Sequence, residues 1–249
     1  MKTERISYDH AGTTYIGYLA LPAQASKRPS VLIAHEGPGL GPQVEERANQ
    51  LAQLGYVAFA CDYVGGGKVL PDMPSMMAKL GQLRGDLDLV RGLASAGLAQ
   101  LTARPECDAS KVAAIGYCFG GTFVLELARS GADTGCTVGF HSGLETKRPE
   151  DAKNIKGPVL VCIGADDPLI PPPQRAAFEE EMRAAKVDWR MELYGNAVHG
   201  FANPYAGKMG NPAVQYDKQA HLRSWASMLA LFGETIGTPW DDLMIDAPV

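Results

Sequence analysis

The chain is short of several things, and each shortage removes a class of function. It has no apolar run long enough to span a bilayer. It has no basic cluster, and its formal net charge of −5 is the wrong sign for a nucleic-acid surface. The glycine run Gly65-Gly66-Gly67 is not followed by the Lys-Ser/Thr pair that a phosphate loop needs. No His-Glu-x-x-His motif and no closely spaced cysteine pair is present, so no metal and no cofactor is expected. Cysteine is scarce and odd in number: Cys61, Cys107, Cys118, Cys136 and Cys162 lie far apart, and residues 1–6 open no apolar signal segment. That reads as reduced thiols in a cytoplasmic protein. Repeats, low-complexity tracts and long linkers are missing too, so residues 1–249 are expected to form one domain.

What is present is an alternation of apolar, β-branched runs with longer helical patterns. Strands are expected over 14–21, 30–35, 57–62, 112–117, 137–141, 158–164 and 188–193. Helices are expected over 43–55, 75–98, 119–130, 173–186 and 213–232. Such a series predicts an α/β protein with a mostly parallel central sheet and helices on both faces. In sheets of this kind, sites form beyond the carboxyl ends of the strands. That directs attention to the residues just after each run: Glu36 to Gly39, Tyr63 to Gly67, Cys118, Ser142-Gly143, Asp166-Asp167, and Asn196 to Phe201.

Cys118 stands in Gly116-Tyr117-Cys118-Phe119-Gly120-Gly121, directly after the apolar run Val112 to Ile115. Gly-x-nucleophile-x-Gly between a strand and a helix is the nucleophile elbow of the α/β-hydrolase fold, here with a thiol. The small flanking residues allow a tight bend, which lifts the sulfur to a helix N-terminus, where negative charge is favoured. The other cysteines at strand-like runs, Cys61, Cys136 and Cys162, read as small buried hydrophobes.

A thiol nucleophile needs a base, and the base needs an orienting acid. After Cys118, the run 159–164 ends in Ala165-Asp166-Asp167-Pro168, which puts a carboxylate at a strand's end. Asp167 is the choice and Asp166 its competitor; taken alone, either could merely cap a helix or start a turn. His199 follows on a glycine-flanked loop before the last helical pattern. The order nucleophile, acid, histidine is that of the α/β-hydrolases. His10, His35 and His221 fit less well, and His141 ends a strand beside the site. The backbone N–H groups of Phe119 and Gly37 are the expected oxyanion donors; Pro38 has none to offer.

These residues together resemble the dienelactone hydrolase family of cysteine hydrolases. The resemblance runs over most of the chain. Its matching segments are Ile33-Ala34-His35-Glu36 with Gly39, Leu54 to Ala58, Gly116 to Gly121, Gly164 to Asp167, and His199-Gly200-Phe201. It implies a triad of Cys118, Asp167 and His199 acting on a small-molecule ester or lactone through an acyl-enzyme. It also implies a thiol-modulating role for Glu36, which in the family holds the resting thiol in a hydrogen bond. Two departures stand out. Where the family carries a carboxylate-binding arginine four residues after the histidine, this chain has Asn203. The segment from Tyr63 to Gln82, which holds a second such arginine in the family, is shortened and has none. A neutral or differently charged ester or lactone is therefore expected in place of dienelactone itself.

Tyr63, His141, Phe201 and Asn203 are the expected substrate-binding residues, and the segment from Gly65 to Pro74 is expected to form a short lid or wall. The expected partner is the substrate alone, with neither nucleic acid nor membrane, in a monomer or small homo-oligomer. An acyltransferase and a non-catalytic binder on the same scaffold are the competing readings.

Overall fold

The computed structural model describes residues 1–23, 27–208 and 210–239. Eight strands form one sheet: β1 (Lys2–His10), β2 (Thr13–Leu21), β3 (Arg28–Ala34), β4 (Val57–Cys61), β5 (Cys107–Tyr117), β6 (Cys136–Phe140), β7 (Val159–Gly164) and β8 (Trp189–Tyr194). Around it lie α1 (Pro42–Gln53), α2 (Met73–Gly85), α3 (Leu87–Thr102), α4 (Phe119–Arg129), α5 (Pro172–Ala185) and α6 (Lys218–Thr235), with a 3₁₀ turn at Pro149–Asn154. The strand order is β1-β2-β4-β3-β5-β6-β7-β8. β1, β2 and β4 pair antiparallel, and every pairing from β4 through β3 to β8 is parallel.

The central strands β3 to β7 read as apolar runs because both faces are covered. Val31 and Ile33 of β3, with Ala113 and Ile115 of β5, face a cluster built with Val44, Ala48 and Leu51 of α1 and Met228, Leu231 and Phe232 of α6. Leu32 and Ala34, one residue out of phase, face α3 and α4 through Leu93, Ala94, Phe123 and Leu127. A third cluster joins Val159, Val161 and Ile163 of β7 to Phe178 and Met182 of α5. This is the α/β-hydrolase architecture. β3 is the pivot, because the chain passes from it to β4 on one side and later to β5 on the other. The carboxyl ends of β3 and β5 therefore open on one crevice, the position that favours a site.

Three expectations change. The helical pattern over 75–98 is two helices, broken at Asp86, whose side chain accepts from Leu89 N and caps α3. The last helix begins at Lys218 and not at 213, because residues before it are engaged with the loop around His199. β1 was not anticipated: it is an edge strand with one buried face, so its apolar content is thin. Cys61, Cys107, Cys136 and Cys162 are buried free thiols. Among the described residues no helix is long and apolar enough to cross a membrane.

Candidate active site

β5 ends at Tyr117 and α4 begins at Phe119, so Cys118 alone makes the turn. Its backbone sits at φ +55° and ψ −122°, a strained combination for a residue with a side chain. Such strain costs on the order of 1–3 kcal/mol and persists only where neighbours enforce it. Here Cys118 N donates to Phe140 O at 3.0 Å, and Gly121 N donates back to Cys118 O at 3.0 Å. The glycines let the chain fold this closely. A Cβ at Gly116 would lie 2.0 Å from Gly120 O, and one at Gly120 would lie 2.3 Å from His35 O. Below the turn, buried Arg129 locks α4 by pairing with Glu126 at 3.0 Å and Glu181 at 2.7 Å. Phe119 is the first residue of α4, so its N–H is one of the groups left without a helical acceptor. Gly37 lies just beyond the end of β3, packed against Met76 and Leu80.

Asp167 follows β7 and is buried, whereas Asp166 beside it is exposed. Asp167 Oδ1 accepts from Leu169 N at 2.8 Å, and Oδ2 meets His199 Nδ1 at 2.8 Å. The histidine's own backbone is clamped: His199 bridges Val214, and Gln215 N donates to His199 O at 2.9 Å. Its Nε2 is buried and geometrically unpaired among the described residues, with the Cys118 sulfur as its strongest electrostatic partner. That leaves room for the thiol–imidazole contact to tighten around a substrate. Burial by itself pulls the imidazole pKa down. A negative sulfur at Cys118, then the bonded Asp167 carboxylate, override it, and the result is a rise to about 10. Burial pushes the Cys61, Cys107, Cys136 and Cys162 thiols up, so they stay neutral.

Glu36 departs from the expected contact. Its carboxylate accepts from Asn203 Nδ2 at 2.7 Å and stands 3.7 Å from His141 Nε2, with no hydrogen bond to Cys118 among the described residues. Burial raises the Glu36 pKa more than Asn203, His199 and Arg47 lower it. Asn203 is therefore committed to Glu36 and does not present a free amide to a ligand. Tyr63 and Phe201 do not face the cavity either. Both are fully buried; the Tyr63 hydroxyl donates to His35 O at 2.7 Å, and the Phe201 ring packs on His141 and Tyr194. His141 is fully buried at φ +40°, edge-on to the His199 ring at 5.1 Å, with both ring nitrogens unpartnered among the described residues. Burial, then the neighbouring His199, hold it well below the usual imidazole range, so it is neutral.

Cys118 and His199 open on a cavity of about 600 Å³. Its walls come from the α2–α3 corner (Leu83, Arg84, Val90), from Leu169 after Asp167, and from Lys147 in the loop after β6. The segment Gly65 to Pro74 lies instead across the Glu36–Gly41 loop: Leu70 N donates to Pro38 O at 2.7 Å, and Gly39 bridges Val69. Arg84 and Lys147 stand on this wall although neither was among the expected substrate-binding residues; Arg84 lies near the shortened Tyr63–Gln82 segment without aligning with the family's arginine. The Gly85-Asp86 break was the available signal for Arg84, because a capped corner there brings the end of α2 to the site.

The comparisons with known proteins agree on the fold and the family. The model of the dienelactone hydrolase family matches residues 16–236. A carboxymethylenebutenolidase from a Pseudomonas species is 34% identical over 178 residues, covering 68% of this chain and 73% of that protein. Two solved structures are nearer in sequence. One, called m3DLH, is 44% identical with a TM-score of 0.91, covering 94% of this chain and 98% of that one. The other is described as a dienelactone hydrolase-like promiscuous phosphotriesterase from metagenomic libraries. It is 42% identical with a TM-score of 0.89, over the same shares of the two chains.

Proposed function

The chain belongs to the dienelactone hydrolase family and is an ester or lactone hydrolase, and from that premise we propose that Cys118, His199 and Asp167 carry the reaction through an acyl-enzyme. The observation that supports this most is the Asp167–His199 pair at 2.8 Å, turned toward a strained Cys118 that opens on the same cavity. His199, held by Asp167 and facing Cys118, is placed to take the thiol proton, which leaves a thiolate beside an imidazolium. The thiolate attacks the carbonyl carbon, and an S–C bond forms. The oxyanion is held by the Phe119 and Gly37 N–H groups. As the C–O bond breaks, His199 Nε2 gives its proton to the leaving oxygen. The neutral imidazole then takes a proton from water, hydroxide attacks the thioester, and the acid leaves as the ion pair is restored. Asp167 holds the imidazole orientation throughout.

Cys118→Ala and His199→Asn should each lower p-nitrophenyl ester hydrolysis by roughly a thousandfold or more. Wild-type rates in either variant refute the assignment. Mass spectrometry of a single turnover separates the competing readings. An acyl adduct on Cys118 that water removes fits the hydrolase. One released only by another acceptor fits a transferase, and no adduct fits a binder. A second substrate class is favoured by the 42% identical relative described as a promiscuous phosphotriesterase. An aryl dialkyl phosphate, attacked at phosphorus with loss of the aryloxide, belongs in the same assay.

A further inference from the structure

Asn203 lies four residues after His199, on the same turn, and every polar group it has is committed. Its backbone N donates to Gly200 O at 2.8 Å, and its backbone O accepts from Ala206 N at 2.9 Å. Its side-chain Oδ1 accepts from Tyr205 N at 2.8 Å. That contact sets the amide's orientation, because an amide nitrogen facing Tyr205 N–H would put donor against donor. Nδ2 is thereby aimed at Glu36 Oε2, 2.7 Å away. The other carboxylate oxygen stands 3.7 Å from His141 Nε2. Glu36 is therefore held between an amide and an imidazole, on the side of the crevice formed by the His199 turn and β6. The charged and titratable neighbours that act on it are Arg47 of α1, His199 and His141.

A carboxylate has two ways to quench a neighbouring thiol. Ionised, it opposes a second negative charge on sulfur; as a hydrogen-bond partner, it keeps the proton on sulfur. Tied elsewhere, the carboxylate cannot make that hydrogen bond, and its repulsion of the sulfur falls with their separation. Resting on the reading of Cys118 as nucleophile, we infer that Asn203 is a positioning residue that parks Glu36 away from Cys118, so that the thiol faces His199 and stands unmasked before substrate arrives. The turn that places the base also places the latch. The masking that the family resemblance implies is thereby relieved by one amide.

The test is the rate of iodoacetamide alkylation at Cys118, located by mass spectrometry at pH 7 without substrate, on the full chain. The wild type should react well above the rate of a simple thiol such as glutathione. Asn203→Ala should slow it by roughly tenfold, the effect of about one pKa unit on the thiolate fraction. Glu36→Gln should leave the wild-type rate nearly unchanged, and added to Asn203→Ala it should restore fast labelling. That rescue separates a latch from damage to the loop, since removing the Glu36 charge cannot mend a misfolded turn. Slow wild-type labelling, an acceleration of tenfold or more in Glu36→Gln alone, an unchanged rate in Asn203→Ala, or a double variant as slow as Asn203→Ala would each overturn the inference. Labelling needs no turnover, so fast alkylation beside absent ester hydrolysis would sink the hydrolytic reading and leave the latch standing.

Discussion

Gly120 and Gly121 are both closed to a side chain, but for different reasons. A Cβ at Gly120 meets backbone: His35 O at 2.3 Å and Ala34 O at 2.4 Å. A Cβ at Gly121 meets the side chain of Ser142, Oγ at 1.6 Å and Cβ at 2.4 Å, while Gly116 O is a tolerable 3.3 Å away. Gly121→Ala should therefore cost about 1–3 kcal/mol as an overpacking. Adding Ser142→Gly should recover more than half of that loss, measured by urea unfolding. Gly120→Ala has no such partner: it should displace the end of β3 and with it Glu36 and Gly37, and lose ester hydrolysis that Ser142→Gly does not return. His199 offers a second prediction at this scale. Its pKa is raised above the ordinary value of about 6.5, so its favourable contribution is fully present below that pH and is lost as pH rises through about 10. Cys118→Ala removes the largest influence holding it up, and the imidazole titration followed by NMR should move down by more than a unit. No movement would mean that Asp167 alone sets it.

At the scale of elements, legibility followed how local the cause was. Strands β3 to β7 and the start of α4 could be read because parallel strands buried on both faces are short apolar runs, and because the elbow's glycines announce a bend; antiparallel β2 and the half-exposed edge strand β8 showed only as β-branched or aromatic runs. Asp167 could be picked out by its place after β7, but choosing it over Asp166 needed the loop that carries His199 to arrive from the next strand. The start of α6 was misplaced for a similar reason. Residues near Val214 read as helix, yet their backbone serves His199 through the bridge at Val214 and the bond from Gln215. Glu36 was legible as a residue and not as a contact, because its partner Asn203 is 167 positions away. The corner at Asp86 was within reach of the sequence: a glycine, then an aspartate that caps, then Asp88 in the first turn. Asp86→Ala should lower stability by about 1 kcal/mol. Because the corner carries Leu83 and Arg84 into the cavity wall, the same substitution should raise KM for esters more than it lowers kcat. Equal effects on both, or none on KM, would place the corner outside substrate binding.

On the scale of the whole molecule, a chain with a net negative charge turns cations toward its reaction centre. Arg84 lies over the Phe119 ring, 5.8 Å from its centroid, and ion-pairs with no carboxylate among the described residues. Lys147 reaches across the mouth of the same cavity to donate to Gly85 O at 3.1 Å, at the end of α2. Of the two acids on the lining, Glu126 is already neutralised by Arg91 at 2.9 Å and Arg129 at 3.0 Å. That leaves Glu145 against two cations, so the field over the cavity favours an anionic substituent on the substrate. Arg84 is exposed, which discounts its strength; a charge-assisted contact there contributes about 1–2 kcal/mol, or roughly five- to thirtyfold in affinity. Arg84→Gln should therefore raise KM about tenfold for an aryl ester carrying a carboxylate, leave kcat unchanged, and alter a neutral aryl ester of the same size by less than about twofold. The difference between the two esters should shrink as salt is raised from low ionic strength to 0.5 M, because exposed charges are screened. A loss shared equally by both esters would show that Arg84 supports the Phe119 end of α4 through its ring contact, and that the cations at the cavity mouth do not select the substrate.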